Sequence, residues 1–256
     1  MPGTLDLNVD AGESAGPYRY GDDAGVFPWV SSVSVACGFH AGDPRVMRET
    51  VALAARHGLA VGAHVSYPDR AGFGRRHLAA TPDEVYEDCL YQIGALAGFL
   101  RAAGLALSHV KPHGALYNYA ARDEAAAGAI AEAVRDFDPG LALMMLAGSA
   151  GAAAAEAAGV RVLHEAFADR AYEPDGSLAA RSRPGSLITD PKVVAARAVR
   201  MAREGTVVTL DGGEWRLRAD TLCLHGDTPG AATLARAARE ALDAAGVRVA
   251  PAWLSP

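Results

Sequence analysis

Lys111-Pro112-His113 closes an apolar run that begins at Leu105-Ala106-Leu107 and leads into Val110. A run broken this way by proline reads as a buried strand delivering two ionisable side chains to its C-terminal end. Of the chain's 24 basic residues only two, Lys111 and Lys192, are lysines. A lysine kept here selects a compact ammonium with a movable pKa over a guanidinium whose charge is fixed. Read the same way, the other strand ends supply Asn8 and Asp10, His40, His64, Glu165, then His225 and Asp227. Five of the eight histidines fall at such ends, counting His164, which closes the run Val160–His164. One histidine so placed is more often a cap or a packed core residue. A set of them at successive strand ends reads as an active site.

Three chemistries suit the set. Asp10, His40 and His64 could hold a divalent metal, since imidazole nitrogen and carboxylate oxygen are both ligands for one. No His-x-His or His-Glu-x-x-His spacing supports that choice. Acid–base chemistry at a carbonyl needs a base and a cation for the developing oxyanion, and Asp10, His113 and Lys111 supply both. Nucleotide binding has the least support, because no Gly-x-x-x-x-Gly-Lys-Ser/Thr run or dinucleotide fingerprint is present. Two loops add groups that grip anions. Tyr67 to Arg76 presents Arg75 among glycines, and the segment after Glu165 carries Asp169, Arg170 and Arg181. Arg75 and Arg170 read as functional, Arg70 and Arg183 as solvated surface charge.

The elements that must position these residues follow from periodicity. Leu5 to Asp10 alternates strictly, placing Asp6, Asn8 and Asp10 on one face of a strand. Further strands are expected over Ser32–Cys37, Leu59–Ala63, Leu105–Val110, Leu141–Leu146, Val160–His164 and Thr221–Leu224. Helices are expected between them. Asp43-Pro44 opens one that Gly58 closes, and Thr81-Pro82-Asp83-Glu84 opens another to about Ala103. Others cover about 121–136, 149–158, 191–204 and Pro229 to about Ala245. Thr206–Leu210 and Trp215–Leu217 read as a hairpin around Asp211-Gly212-Gly213. The segment from Glu165 to Pro191 is too long for a plain connection and reads as a functional loop. Alternating strands and helices give a parallel sheet. Polar residues at nearly every strand end favour an α/β fold, an irregular TIM-like barrel of about seven parallel strands with a small hairpin, in one domain over residues 1–256. An open doubly wound sheet would gather them at one switch point.

Composition sets the outer limits. A net charge of -6 argues against nucleic acid or an anionic membrane as partner. Cys37, Cys89 and Cys223 are widely spaced and read as reduced core residues of a cytoplasmic protein. No signal peptide or membrane span is evident.

Several blocks together resemble the LamB/YcsF family. They are Asp6 to Glu13, Ala36 to Asp43, Gly62-Ala63-His64, Gly72 to Arg76, Val110 to Asn118, Glu165 to Arg170 and His225-Gly226-Asp227. They run in family order over about residues 5–245. Ser34 stands where the pattern expects Asn, Val65 where it expects Pro, and Ser14-Ala15 where it expects Gly-Phe; the first could remove an amide contact near the site. The resemblance implies a β/α barrel that opens 5-oxo-L-proline to L-glutamate with ATP as co-substrate, Mg²⁺ accompanying the ATP, in a complex with two further subunits, B and C. It also implies roles. Asp10 or His113 would be the base and Lys111 the oxyanion stabiliser, with Arg75 or Arg170 on the substrate carboxylate. His40 and His64 would join Asp10, Lys111 and His113 as catalytic residues, and Asn8, Glu13, Glu165, Asp169, Arg181, His225 and Asp227 would surround the substrate. A metal-dependent deacetylase or amidohydrolase, or a subunit that only presents the lactam, are the alternatives.

Overall fold

Leu5, Leu7 and Val9 alternate with Asp6, Asn8 and Asp10 along the first strand, and the alternation decides which side of a closed sheet each residue occupies. The computed structural model describes residues 4–228, 230–251 and Trp253. Its strands are β1 (Thr4–Ala11), β2 (Ser32–Ala36), β3 (Ala60–Val65), β4 (Leu107–Pro112), β5 (Ala142–Leu146), β6 (Arg161–Phe167), β7 (Thr206–Val208), β8 (Glu214–Arg216), β9 (Thr221–Leu224) and β10 (Arg248–Val249). β1 to β6 and then β9 pair in parallel, each with the next, and β9 returns to β1, closing a barrel of seven strands. That closure excludes the open sheet. β10 pairs with Thr4 and Leu5, below the point where β9 takes over at Asp6. β7 and β8 form the antiparallel hairpin.

Around the barrel run α1 (Asp23–Val26), α2 (Pro44–His57), α3 (Pro82–Ala102), α4 (Gly114–Ala120), α5 (Glu124–Phe137), α6 (Ala150–Ala157), α7 (Pro191–Glu204) and α8 (Ala231–Ala244). Their ends obey local chemistry. Asp43 caps α2 by accepting from Val46 N, and Gly58 ends it in the left-handed region. Thr81 and Glu84 cap α3 reciprocally. The Pro229 expected to open the last helix lies outside the described residues, and α8 begins at Ala231. Among the described residues no helix is long and apolar enough to cross a membrane.

The structure departs from the sequence reading in three places that matter for the site. β6 runs on to Phe167, so Glu165 lies inside the strand, while His164 is partly exposed and faces Glu156 at 3.1 Å. β4 extends through Pro112 instead of stopping at Val110. A short helix, α4, starts directly after His113, where no helix was expected.

The apolar core has two parts. The larger lies between strands and helices and takes Leu5, Leu7 and Val9 from β1. A smaller cluster of Ala142, Met144, Leu163 and Trp253, with His109 edge-on to the Trp253 ring, fills part of the lumen. Above it the lumen is polar. β4 bonds only to β3 and β5, so contacts from Lys111 to β1, β6 and β9 must cross the barrel axis.

Candidate active site

β4 carries Lys111 into the barrel as a fully buried cation. Its Nζ donates to Asp10 Oδ1 at 2.8 Å and Asn8 Oδ1 at 3.3 Å, and stands 2.8 Å from Glu165 Oε1 and 3.1 Å from Cys223 Sγ. Burial pushes the ammonium pKa down, but Asp10, Cys223 and Glu165 outweigh it and hold Lys111 well above the ordinary lysine range. This corrects the expectation of a lysine with a movable proton, because what the site holds is a fixed positive charge. Burial likewise raises the Asp10 carboxyl, yet His64 and Lys111 keep it well below the usual carboxylate range. One level down, Asn8 Nδ2 donates to Glu165 Oε1 at 3.0 Å and Thr221 Oγ1 at 2.7 Å. The hydroxyls of Thr221, Ser31 and Ser32 all donate to Asp6, and with no cation beside it burial lifts that carboxyl to about 6.

Across Asp10 lies a cluster of imidazoles. His64 Nδ1 stands 3.1 Å from the Lys111 carbonyl oxygen, and His113 Nε2 stands 2.9 Å from that of Phe73. A carbonyl only accepts, so both nitrogens carry protons and donate. The inner nitrogens, His64 Nε2 and His113 Nδ1, face each other at 2.9 Å. His64 Nε2 is 3.3 Å from Asp10 Oδ2, and Glu13 Oε1 is 3.6 Å from His113 Nδ1 and 3.2 Å from His40 Nε2. His40 stacks flat on His113 with ring centres 3.8 Å apart. Burial, then the neighbouring imidazoles, depress His40 and His113 below the histidine range, while burial and the Asp10 charge raise Glu13.

The loop that supplies the Phe73 carbonyl is shaped for this contact. Phe73 is the non-glycine with positive φ, 54°, among the described residues, which costs about 1 kcal/mol. A Cβ on Gly114 would lie 2.5 Å from the Gly74 carbonyl oxygen, and one on Gly74 would lie 2.7 Å from the His113 ring. Glycine at both positions lets the loop press onto the end of β4. Arg70 donates to the carbonyls of Gly38 and Gly42, pinning the turn that carries His40, so it is more than solvated charge. Arg183 does pair at the surface, with Glu173.

These groups floor a cavity of about 630 Å³ walled by Tyr117, Phe167, Arg75, Arg170 and Arg181. Residues 175–181 of the long segment after Glu165 line its rim, and Gly176 lies against the Trp215 ring of the hairpin. Arg75 donates to Asp227 at 2.5 Å and Arg181 shares that carboxylate at 3.5 Å, so both guanidiniums are partly committed. Asp169 accepts from His225 N at 2.8 Å and faces its ring Nδ1 at 2.9 Å, which fixes it as a support for His225. Arg170 differs. Its Nη2 donates to the Ala179 carbonyl at 2.6 Å, and its buried Nε has no hydrogen-bond partner among the described residues. Burial, then Arg181, press its pKa down to about 10. Tyr117 Oη and Glu165 Oε2 are buried and have no partner of good geometry, but the Tyr117 hydroxyl lies against the Glu165 carboxylate. Burial, then the Glu165 charge, hold the Tyr117 hydroxyl well above the ordinary tyrosine range, so it keeps its proton. Buried polar atoms without partners are uncommon in folded proteins. Arg170 and Tyr117 line the cavity and mark where a ligand's polar atoms fit.

Every residue singled out from the sequence stands at this end of the barrel, but in distinct groupings. The expected metal set of Asp10, His40 and His64 is not the one that converges. Glu13, His40, His64 and His113 come together, and Asp10 groups with Cys223 and His225. Ser34, the departure expected to cost an amide contact, lies near His109 Nε2 at 3.1 Å, on a histidine that burial and Lys111 press down to about 3. Sequence reasoning missed Tyr117, Phe167, Thr221 and Cys223. Alternation along Thr221–Leu224 turns Cys223 inward, and Tyr117 lies one helical turn beyond His113; both signals were present.

Compared with known proteins, residues 5–254 match the model of the LamB/YcsF family. The A subunit of 5-oxoprolinase from Thermus thermophilus is 59% identical over 245 residues, covering 96% of this chain and 98% of that protein. The protein of the same name from Methylococcus capsulatus is 55% identical over 257 residues, covering 100% and 99%. A lactam utilization protein from Thermus thermophilus, solved by crystallography, superposes with a TM-score of 0.92 at 58% identity over 97% of this chain and 99% of that one.

Proposed function

Since this chain belongs to the LamB/YcsF family, we propose that it is the A component of a 5-oxoprolinase, opening the lactam of 5-oxo-L-proline with water to give L-glutamate, coupled to ATP hydrolysis. The observation that carries this reading is a fixed ammonium, Lys111, at the floor of a cavity whose wall holds a buried guanidinium with a free nitrogen.

The chemistry asks for both. A five-membered lactam is a weak electrophile whose closure is favoured by proximity. Charge must therefore be stabilised on the ring oxygen as water adds. Lys111 supplies that charge, preorganised because its carboxylate partners are already in place. Arg170 takes the substrate carboxylate, supported by Arg181, because Arg75 is engaged with Asp227. The Tyr117 hydroxyl, which lines the cavity and lies against Glu165, meets one of the ring's remaining polar atoms. Asp10, acting through His64 at 3.3 Å, or His113, removes the proton from water.

ATP makes the opening favourable, and phosphorylation of the lactam oxygen would create a reactive imidate. The chain has no phosphate loop, so ATP and its Mg²⁺ are handled partly or wholly by partner subunits B and C. Three buried free cysteines suit a reducing cytoplasm.

Glutamate release from 5-oxoproline and ATP tests this, measured with this chain alone, with the partner subunits alone, and with all three. Release is expected only from the complete mixture. Release by the partners without this chain would overturn the catalytic reading in favour of a subunit that merely presents the lactam.

A further inference from the structure

The hydrogen bonds around His64 and His113 leave a surplus of lone pairs. Each ring has its outer N–H committed to a backbone carbonyl, so in the neutral forms of both rings the two inner nitrogens point lone pairs at each other across 2.9 Å. Beside them stand Asp10 Oδ2, whose sister oxygen already serves Lys111, and Glu13 Oε1. Glu13, His64 and His113 belong to one convergent group, and a cation satisfies their facing electron pairs together.

We propose that His64 Nε2, His113 Nδ1 and Glu13 Oε1 form a binding site for one divalent transition-metal ion of the zinc class, with Asp10 Oδ2 beside it. The separations are 2.9 Å between the nitrogens, 3.3 Å from His64 to Asp10 and 3.6 Å from His113 to Glu13. Ligands about 2.0–2.1 Å from a tetrahedral zinc ion are about 3.3 Å from one another. Two imidazole nitrogens and one carboxylate oxygen suit zinc or cobalt better than magnesium or calcium, which prefer more oxygen ligands. The surroundings agree. A metal-bound histidine characteristically donates its other N–H to a carbonyl or carboxylate, as both rings do here. His40 is a positioning residue. Its ring is parallel to that of His113 within 4° and 3.8 Å away, so no single ion can lie in both ring planes, where the lone pairs point. Its Nε2 instead stands 3.2 Å from Glu13 Oε1 and orients that carboxylate.

The proposal deepens the lactam reading without depending on it, because its measured quantity is bound metal. A metal here would occupy the inner nitrogens of His64 and His113, leave Asp10 as the base, and sit beside Lys111 at the cavity floor, able to polarise an oxygen. The competing occupant of the gap is one shared proton.

The test uses the full-length chain, freed of metal with a chelator and dialysed. Zinc chloride is titrated by calorimetry, bound metal is counted by elemental analysis, and cobalt chloride provides a visible d–d band. One equivalent should bind. His64→Gln and His113→Gln should each weaken binding 100-fold or more and abolish the cobalt band. His40→Ala should weaken it about 10–100-fold, as loss of an orienting neighbour does. The exposed His57→Ala and His77→Ala should leave it unchanged. Failure of the wild-type chain to bind one equivalent at micromolar metal would overturn the site and leave the shared proton. Binding that survives both His64→Gln and His113→Gln would overturn the ligand assignment. The wild-type titration decides the matter even if a variant fails to fold.

Discussion

Around Lys111 one cation faces two carboxylates and an amide oxygen, and donors and acceptors match. Across Asp10, within a few ångströms, His64, His113 and Glu13 present acceptors that face acceptors. Asp10 belongs to both sets, giving one oxygen to each. The first set is complete as folded and offers fixed charge to whatever enters the cavity. The second is incomplete until a proton or a metal arrives. A third set one level down sharpens the contrast. Asp6 receives three hydroxyl donors but no cation among the described residues, and burial raises its carboxyl to about 6, while Asp10, with His64 and Lys111 beside it, falls well below the usual range. A neighbouring full charge, more than the number of hydrogen bonds, decides whether a buried carboxylate stays ionised here.

The largest effect should come from removing the cation of the matched set. Lys111→Ala leaves Asp10 and Glu165 buried without it, and should cost about 3–5 kcal/mol of stability by urea unfolding. Lys111→Met combined with Glu165→Gln should recover part of that loss, because only Asp10 is then left without the cation. Next is the set without a cation. Asp6 has its carboxyl raised from 3.8 to about 6, so the folded chain holds a proton that the unfolded chain releases. Its contribution to stability is therefore present below pH 4 and lost as pH rises through 6, by on the order of 3 kcal/mol. The difference in unfolding free energy between the native chain and Asp6→Asn, followed from pH 4 to 7, should show that slope. For the lone-pair set, zinc at 100 times its dissociation constant should stabilise the chain by about 2.7 kcal/mol. The same addition should leave the melting temperature of His64→Gln unmoved. Smallest is Tyr117→Phe, which deletes a buried hydroxyl with no partner of good geometry in the described residues. Stability should hold within about 0.5 kcal/mol, while KM for 5-oxoproline in the reconstituted complex rises about tenfold.

Much of this arrangement is legible in the chain. The alternation of Leu5 to Asp10, the caps at Asp43 and Thr81, and apolar runs ending at His64 or Lys111 are local signals, and barrel closure then brings their ends to one mouth. What escapes is whatever depends on a distant partner. Arg75 and Arg170 look alike in sequence, yet Arg75 meets Asp227, 152 residues away, and Arg170 keeps a nitrogen free. The protonated nitrogen of His113 is set by the Phe73 carbonyl, which only the strained turn before Gly74 puts in place. His164 reads as a strand end because an apolar run stops there, but β6 continues through Glu165 to Phe167, whose pairing with β9 local periodicity cannot reveal.

The central claim, that the fixed charge of Lys111 drives lactam opening, is most directly tested by glutamate formation in the reconstituted complex. Lys111→Ala and the Lys111→Met, Glu165→Gln chain should each assemble with their partners and lose on the order of 10²–10³ in kcat, the usual cost of one oxyanion donor. A rate within a few-fold of the native complex for either folded variant would contradict the account.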